Sequence, residues 1–481
     1  MTRQTTTSYA PLGIPRTVAI ALVVIGAVAL PTAAHAQEPV SYWSGIAKVV
    51  IVDMAARGGS PSAVDFAYVH AAIYDAVNAI DQRYTVFAVS PTTVPDGASE
   101  PAAVAAAART ILKALFTASA QQAFVDAQYT AYVGLIPAGD PKNRGIAVGT
   151  EVANAFLALR NPGPRQDLGQ DGRNAACADN VALCYVFGSG PGVYQSTPGA
   201  APAPATPAAQ WVGLLKPFAV QSQSQFRADG PPNLTSAQWA DDYNETKTFG
   251  GDAAHSPTRT PEQTDIGWYY TDNPGAYGNR IIRQIAADQD LELADSARYF
   301  AQTYITLADT FINCWDSKRY YNFWRPVTAI NAGNTDGNDA TEPDLSWLPL
   351  ALTPNHQEYP SAHGCFTGSV MNAAENFFGT KKLTLNLTAC SVPGHPCSVT
   401  ADGVLTGGDT HSFNRTQDAL KEVIEGRIYG GMHYRTSVVH GIVMSNKVAH
   451  YVAKHYFLPV EKVHEPQGPK DNHEPQGPKK R

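Results

Sequence analysis

The stretch FAQTYITLADTFINCWDSKRYYNFWRP, residues 300–326, decides the fold class of this chain. Phe300, Tyr304, Ala308, Phe311 and Trp315 recur at steps of three and four residues, the spacing of one face of an α-helix. Lys318 falls on the same stripe, three residues after Trp315. Burying an unpaired ammonium is costly, so a lysine on an apolar stripe predicts an anionic partner. Arg325-Pro326 then closes the segment.

The same periodicity appears on both sides of this stretch. Val64–Ile80 (VDFAYVHAAIYDAVNAI), Ala102–Leu115 and Gly149–Leu159 read as helices. Ser361 reads as an N-cap for a helix whose apolar face is Phe366, Val370, Ala373 and Phe377 and which stops at Gly379. Leu420, Val423, Ile424, Arg427 and Ile428 mark another helix, with Arg427 on the apolar face. Gly430-Gly431 breaks it, and Val438, Ile442, Ser445, Ala449 and Val452 mark the last. Alternating strand-like runs are scarce, so the expected fold is all-α, a helical bundle with long Pro-rich loops.

Five segments follow. Residues 1–36 read as a secretory leader, with Arg3 and Arg16, an apolar run from Val18 to Leu30, and Ala34-His35-Ala36 as the cleavage signal. The apolar run is too short to span a bilayer comfortably. Residues 37–185 form an N-terminal helical region, 186–260 a Pro/Gly-rich irregular connection, and 261–460 a C-terminal helical core. In this reading helix resumes at about Asp295. Residues 461–481 repeat HEPQGPK, lack apolar residues and are expected to be disordered. The expected destination is periplasmic or secreted, with no membrane span after cleavage.

The formal charge of −7 implies no attraction to nucleic acid. Six cysteines in an oxidising compartment predict disulfides. Cys177 with Cys184 and Cys390 with Cys397 are the two expected local bridges. Cys314 and Cys365 either face each other near the site or remain buried thiols. No cysteine pair has zinc-ribbon spacing.

Three short segments carry the chemistry: Lys318 with Arg325-Pro326, Pro360-Ser361-Ala362-His363, and Arg427 with His433. Two guanidinium forks and an ammonium suit a tetrahedral oxyanion. The start of the helix after Ser361 adds free N–H groups. His433 follows a Gly-Gly break and can be aimed at the central atom, and His363 sits at the helix start as an acid–base group. Each segment alone is common on a solvated face; their conjunction and order carry the reading.

The spacings K-x6-R-P, P-S-x-H and R-x5-H resemble the shared signature of the vanadium-dependent haloperoxidases and the type 2 phosphatidic acid phosphatases. HAAIYDAVNAI from His70, PPNLTS from Pro231 and TPEQTDIGWYY from Thr260 extend the likeness to soluble haloperoxidase-like proteins. The resemblance implies that Lys318, Arg325, Ser361, Ala362, Arg427 and His433 bind vanadate, with phosphate able to occupy the same site. It implies His433 as the vanadium ligand, or as the phosphorylated nucleophile of a phosphatase. His363 is then the general acid–base residue, and Lys318 polarises bound peroxide. The substrates implied are hydrogen peroxide and halide, or a phosphate monoester cleaved through a phosphohistidine. A homodimer is compatible with such helical proteins. A protein that binds an oxyanion without turnover is a third reading.

The chain departs from the pattern at three places. The usual P-S-G-H is P-S-A-H, Gly426 precedes Arg427 where Ser is usual, and Ser437 stands where the phosphatases place an Asp four residues after the nucleophilic His. The last departure favours the haloperoxidase. By resemblance, Trp315 and His356 line the halide pocket: His356 is bromoperoxidase-like and Trp315 chloroperoxidase-like, a mixed pocket that leans to bromide. His411 has no motif position and is expected to be structural or exposed.

Overall fold

The computed structural model describes residues 38–160, 188–197, 207–399 and 405–460. The leader, the Cys177–Cys184 pair and the repeated tail lie outside these residues. Thirteen α-helices dominate the described residues. The N-terminal half holds α1 (Pro39–Lys48), α2 (Gly59–Asp81), α3 (Glu100–Leu115), α4 (Ser119–Gly134) and α5 (Asp140–Arg160). Next come α6 (Ala237–Phe249), α7 (Pro261–Tyr269), α8 (Pro274–Asp288) and α9 (Leu293–Tyr321). The rest are α10 (Pro326–Asn331), α11 (Ala362–Phe378), α12 (Thr416–Tyr429) and α13 (Arg435–His455). No helix among them is long and apolar enough to cross a membrane.

The expectation that 211–260 stays irregular, and that helix resumes only near Asp295, is corrected here. α6, α7 and α8 all precede that point. Their start signals are local. Ser236 accepts from Trp239 N, Thr260 and Gln263 form a reciprocal capping box, and Asn273 accepts from Gly275 N. Two small antiparallel pairings interrupt the helical pattern, β1 (Leu385–Ala389) with β4 (Asp409–Phe413) and β2 (Cys397–Val399) with β3 (Leu405–Gly407). The Cys390–Cys397 disulfide closes the loop between β1 and β2.

The 29-residue α9 is the central rod, about 43 Å long at 1.5 Å per residue. It packs against α2 from the N-terminal half and against α11 and α13 from the C-terminal half. Its buried carboxylate Asp309 accepts the N–H groups of Phe218, Ala219 and Val220 at 2.6–2.8 Å. Asp75 does the same for Phe87, Ala88 and Val89. Each buried carboxylate thereby satisfies a loop backbone that could not otherwise be closed off from water.

α11 and α13 approach unusually closely. A Cβ on Gly364 would stand 2.4 Å from the carbonyl oxygen of Val438, and one on Gly368 would stand 2.1 Å from Ser445 Oγ. These missing side chains let two helix starts, at Ser361 and at Tyr434, lie side by side. His411, on β4, is held by Glu422 at 2.6 Å and stacks on Tyr269 at 3.9 Å, so it ties the hairpin to α7 and α12.

Candidate active site

Lys318 lies in the last turn of α9, whose C-cap Asn322 adopts the left-handed conformation. The chain then reverses, and Arg325 becomes the N-cap residue of α10. Lys318 is fully buried. Its ammonium donates to three main-chain carbonyls, Gln357 at 2.8 Å, Glu358 at 3.0 Å and Pro360 at 2.5 Å. The expected partner of this buried cation is thus a set of carbonyl dipoles. All three ammonium protons are committed, so Lys318 acts on any guest through its charge. Burial pushes its pKa down to about 8.

Arg325, also buried, braces the segment from the other side. Its Nε donates to His356 O at 2.9 Å and its Nη1 to Met432 O at 2.8 Å. Nη1 also lies 3.1 Å from His433 Nε2, and Nη2 lies 3.0 Å from His356 Nδ1. A guanidinium can only donate, so His433 Nε2 presents a lone pair to it, whereas His356 Nδ1 also lies 3.1 Å from the carbonyl oxygen of Gln357.

Arg427, at the C-terminal end of α12, is the least satisfied of the three cations. It donates to Tyr270 O and, at 3.0 Å, to the Met432 thioether, while its buried Nε has no partner. A thioether is a weak acceptor. Burial, reinforced by the nearby Arg325 charge, presses the Arg427 pKa down.

Gly431 turns the chain after α12 with φ +70°. A Cβ there would also meet Gly250 O at 2.1 Å, so only glycine fits. The turn brings His433 into the site, 1% exposed. Its Nδ1 lies 2.7 Å from Glu358 Oε1, which also accepts from Tyr434 N at 3.2 Å. Burial, and then the charges of Arg325, Arg427 and Lys318, hold the His433 imidazole well below its usual pKa. Burial raises Glu358 to about 7 despite Arg325 and Lys318.

Ser361 caps α11, its Oγ accepting from Gly364 N at 3.4 Å and its own N–H donating to Ser437 O at 3.1 Å. Ala362 and His363 open the helix, where backbone N–H groups have no intrahelical acceptor. The methyl of Ala362 replaces no backbone donor, so the departure from glycine leaves the helix start intact. His363 faces a cavity of about 430 Å³ together with Ala362, His433, His356 and Trp315. Burial, followed by Arg427, Arg325 and Lys318, keeps the His363 imidazole well below its usual pKa, hence neutral.

The structure places Trp315, His356, Ala362, His363 and His433 on the wall of one cavity, while Lys318, Arg325, Ser361 and Arg427 are buried outside its lining. His356 stacks obliquely near Trp315, ring centres 5.3 Å apart, and the Lys318 ammonium lies 5.7 Å from the Trp315 ring centre. Cys314 and Cys365 are buried free thiols. Sequence reasoning missed Glu358, although its place two residues before Pro360 put it beside the motif. It also missed the cavity walls drawn from Gly58–Pro61 at the start of α2, from Ala208 to Trp211, and from Asp272 to Pro274. No local signal marks those walls; remote segments supply them.

Residues 298–462 match the family described as the VCPO second helical-bundle domain. In fold and in this constellation the chain resembles the vanadium-dependent haloperoxidases. Vanadium chloroperoxidase of Curvularia inaequalis is 28% identical over 376 residues, covering 64% of this chain and 59% of that protein. The chain thus spans 59% of the length of that curated relative. The crystal structure of a bacterial vanadium-dependent iodoperoxidase shares the fold at a TM-score of 0.69 and 21% identity, over 88% of this chain and 98% of that one. A bacterial vanadium-dependent chloroperoxidase in its holo form does so at 0.60 and 16%, over 84% and 93%.

Proposed function

We propose that this chain is an exported vanadium-dependent haloperoxidase-like enzyme that oxidises halide, bromide in preference, with hydrogen peroxide. The observation that carries the proposal is His433 on the wall of one cavity, its Nε2 accepting from Arg325 Nη1 at 3.1 Å, with the charge of the under-satisfied, buried Arg427 acting on the same ring. Three buried cations, Lys318, Arg325 and Arg427, face one buried carboxylate, Glu358. That imbalance suits an anionic guest.

The residues that would hold vanadate are His433 through Nε2, Arg325 and Arg427 through their guanidinium donors, and the α11 start with Ser361 and Ala362. Bound vanadate supplies a Lewis-acidic centre that activates peroxide towards halide. The chain's own part is positional and electrostatic. His363, kept neutral by its surroundings, takes a proton from incoming peroxide at a ring nitrogen. Lys318 and the arginines stabilise the negative charge left behind. We assign the halide side of the cavity to His356 and Trp315, which line it together, and rest the bromide preference on the resemblance at His356. Export by residues 1–36 and a homodimeric assembly belong to the same proposal.

A second reading, a phosphatase acting through a phosphohistidine, gains from one observation. Ser437 leaves the phosphatase pattern without its carboxylate, yet Glu358 brings one to His433 Nδ1 at 2.7 Å. The deciding experiment is a paired assay. The mature protein, prepared without phosphate and loaded with orthovanadate, is assayed for bromide-dependent halogenation with peroxide. The vanadate-free form is assayed on p-nitrophenyl phosphate. Halogenation without hydrolysis supports the haloperoxidase; brisk hydrolysis with no halogenation replaces it with the phosphatase.

A further inference from the structure

We propose that Glu358 is a positioning residue that makes His433 a nitrogen donor to the oxyanion, taking over from a segment before Ser361 the work of the carboxylate absent at Ser437. The inference rests on the oxyanion-site reading above and adds the residue that prepares its nitrogen ligand.

Two hydrogen bonds of opposite sense meet on the His433 ring. Arg325 Nη1, a donor without any acceptor capacity, lies 3.1 Å from Nε2. Nε2 therefore carries a lone pair. The ring proton of the neutral imidazole then resides on Nδ1, 2.7 Å from Glu358 Oε1. A carboxylate is the complementary acceptor, and this one is fully buried and cannot turn away to water. A carboxylate behind a ligating imidazole fixes the tautomer, aims the free nitrogen and increases its basicity.

Glu358 is itself held at both ends. Its main-chain carbonyl accepts from Lys318 at 3.0 Å, and its main-chain N–H donates to Phe323 O at 3.0 Å. Its carboxylate accepts from Tyr434 N at 3.2 Å, next in the chain to the residue it orients. The Ser437 side chain lies close enough to this carboxylate to favour its charged form, and neither its hydroxyl nor Glu358 Oε2 has a hydrogen-bond partner of its own. An acidic residue at 437 would set two carboxylates against each other there, so the serine fits the relocated acid. Lys318 thereby acts on the nitrogen ligand indirectly, by fixing the backbone from which Glu358 reaches His433.

The test compares two tetrahedral anions on the full mature protein and its Glu358→Gln variant. Sulfate forms no bond to an imidazole nitrogen, whereas vanadate does. Titration calorimetry on Glu358→Gln is expected to show vanadate affinity reduced about 10- to 100-fold. Sulfate affinity is expected to hold or to rise, because a neighbouring negative charge is gone. Equal vanadate affinity in variant and wild type, or equal loss of both anions, overturns the proposal. An independent measurement needs no variant of Glu358. Nitrogen-15 spectra of histidine-labelled wild type, assigned by difference from His433→Asn, are expected to show a protonated Nδ1 and a bare Nε2 for His433. A protonated Nε2 overturns the proposal even if Glu358→Gln fails to fold. A wild type that shows the stated tautomer and the vanadate–sulfate split, yet halogenates nothing, sinks the haloperoxidase reading and leaves the role of Glu358 standing.

Discussion

The ammonium of Lys318 lies 2.5 Å from the carbonyl oxygen of Pro360, the residue before the helix cap Ser361. With its bonds to Gln357 and Glu358, this one side chain shapes the strand of backbone that carries the site. Lys318→Met would strand three carbonyls in a buried place. The expected cost is about 3 kcal/mol of stability, read by urea denaturation. A stability within about 0.5 kcal/mol of wild type would show that the carbonyls find other donors.

Lys318 also sets a pH dependence. Burial depresses its pKa to about 8, so its charge is present at neutral pH and is lost as pH rises through that value. Anion affinity must follow the charge in the same direction. Sulfate, which does not titrate in this range, is expected to bind progressively more weakly as pH rises from about 7, where Glu358 gains its charge, through about 8, where Lys318 loses its own. Affinity that stays flat to pH 9.5 would refute this role for the lysine.

Arg427 trades stability for binding. Its guanidinium is buried with one N–H unpartnered and another on a thioether. Replacing a poorly compensated buried charge by an apolar side chain is often neutral or stabilising. Arg427→Met is expected to melt no lower than wild type while sulfate affinity falls about 10- to 100-fold, the worth of hydrogen bonds to a charged group. A large drop in melting temperature would mean that the arginine is mainly structural.

The two imidazoles should separate cleanly. His363→Ala is expected to keep vanadate affinity within about threefold and to lose about 10²- to 10⁴-fold in turnover, the usual range for an acid–base group. His433→Ala should lose vanadate affinity itself. Full activity in His433→Ala would end the shared mechanism.

Gly364 tests the helix contact beneath the site. A Cβ there meets Val438 O at 2.4 Å. Gly364→Ala is expected to cost about 1–3 kcal/mol by overpacking and to weaken vanadate binding by separating Ser361 from His433. Differential scanning calorimetry and the same titration check both effects.

The helices with strong periodicity were legible in the residues. The stripe from Phe300 to Trp315 became α9, and Ser361 and Gly379 bound α11 as a cap and a left-handed stop. α6 to α8 escaped notice because Pro231-Pro232 and the long Pro-rich stretch before them masked short helices whose caps, Ser236, Thr260 and Asn273, are the clearer signals. The hairpins were missed because five-residue strands alternate too briefly to stand out.

The sequence by itself determined the helical class, the inventory of cations and imidazoles, and their order, because periodicity and residue type are local properties. Only the tertiary structure decided who meets whom. It gave Lys318 three carbonyls instead of an acid, supplied His433 with Glu358 from 75 positions away, left Arg427 short of a partner, and walled the cavity with segments from both halves of the chain. Such contacts depend on how helices pack, and packing joins residues that no spacing along the chain connects.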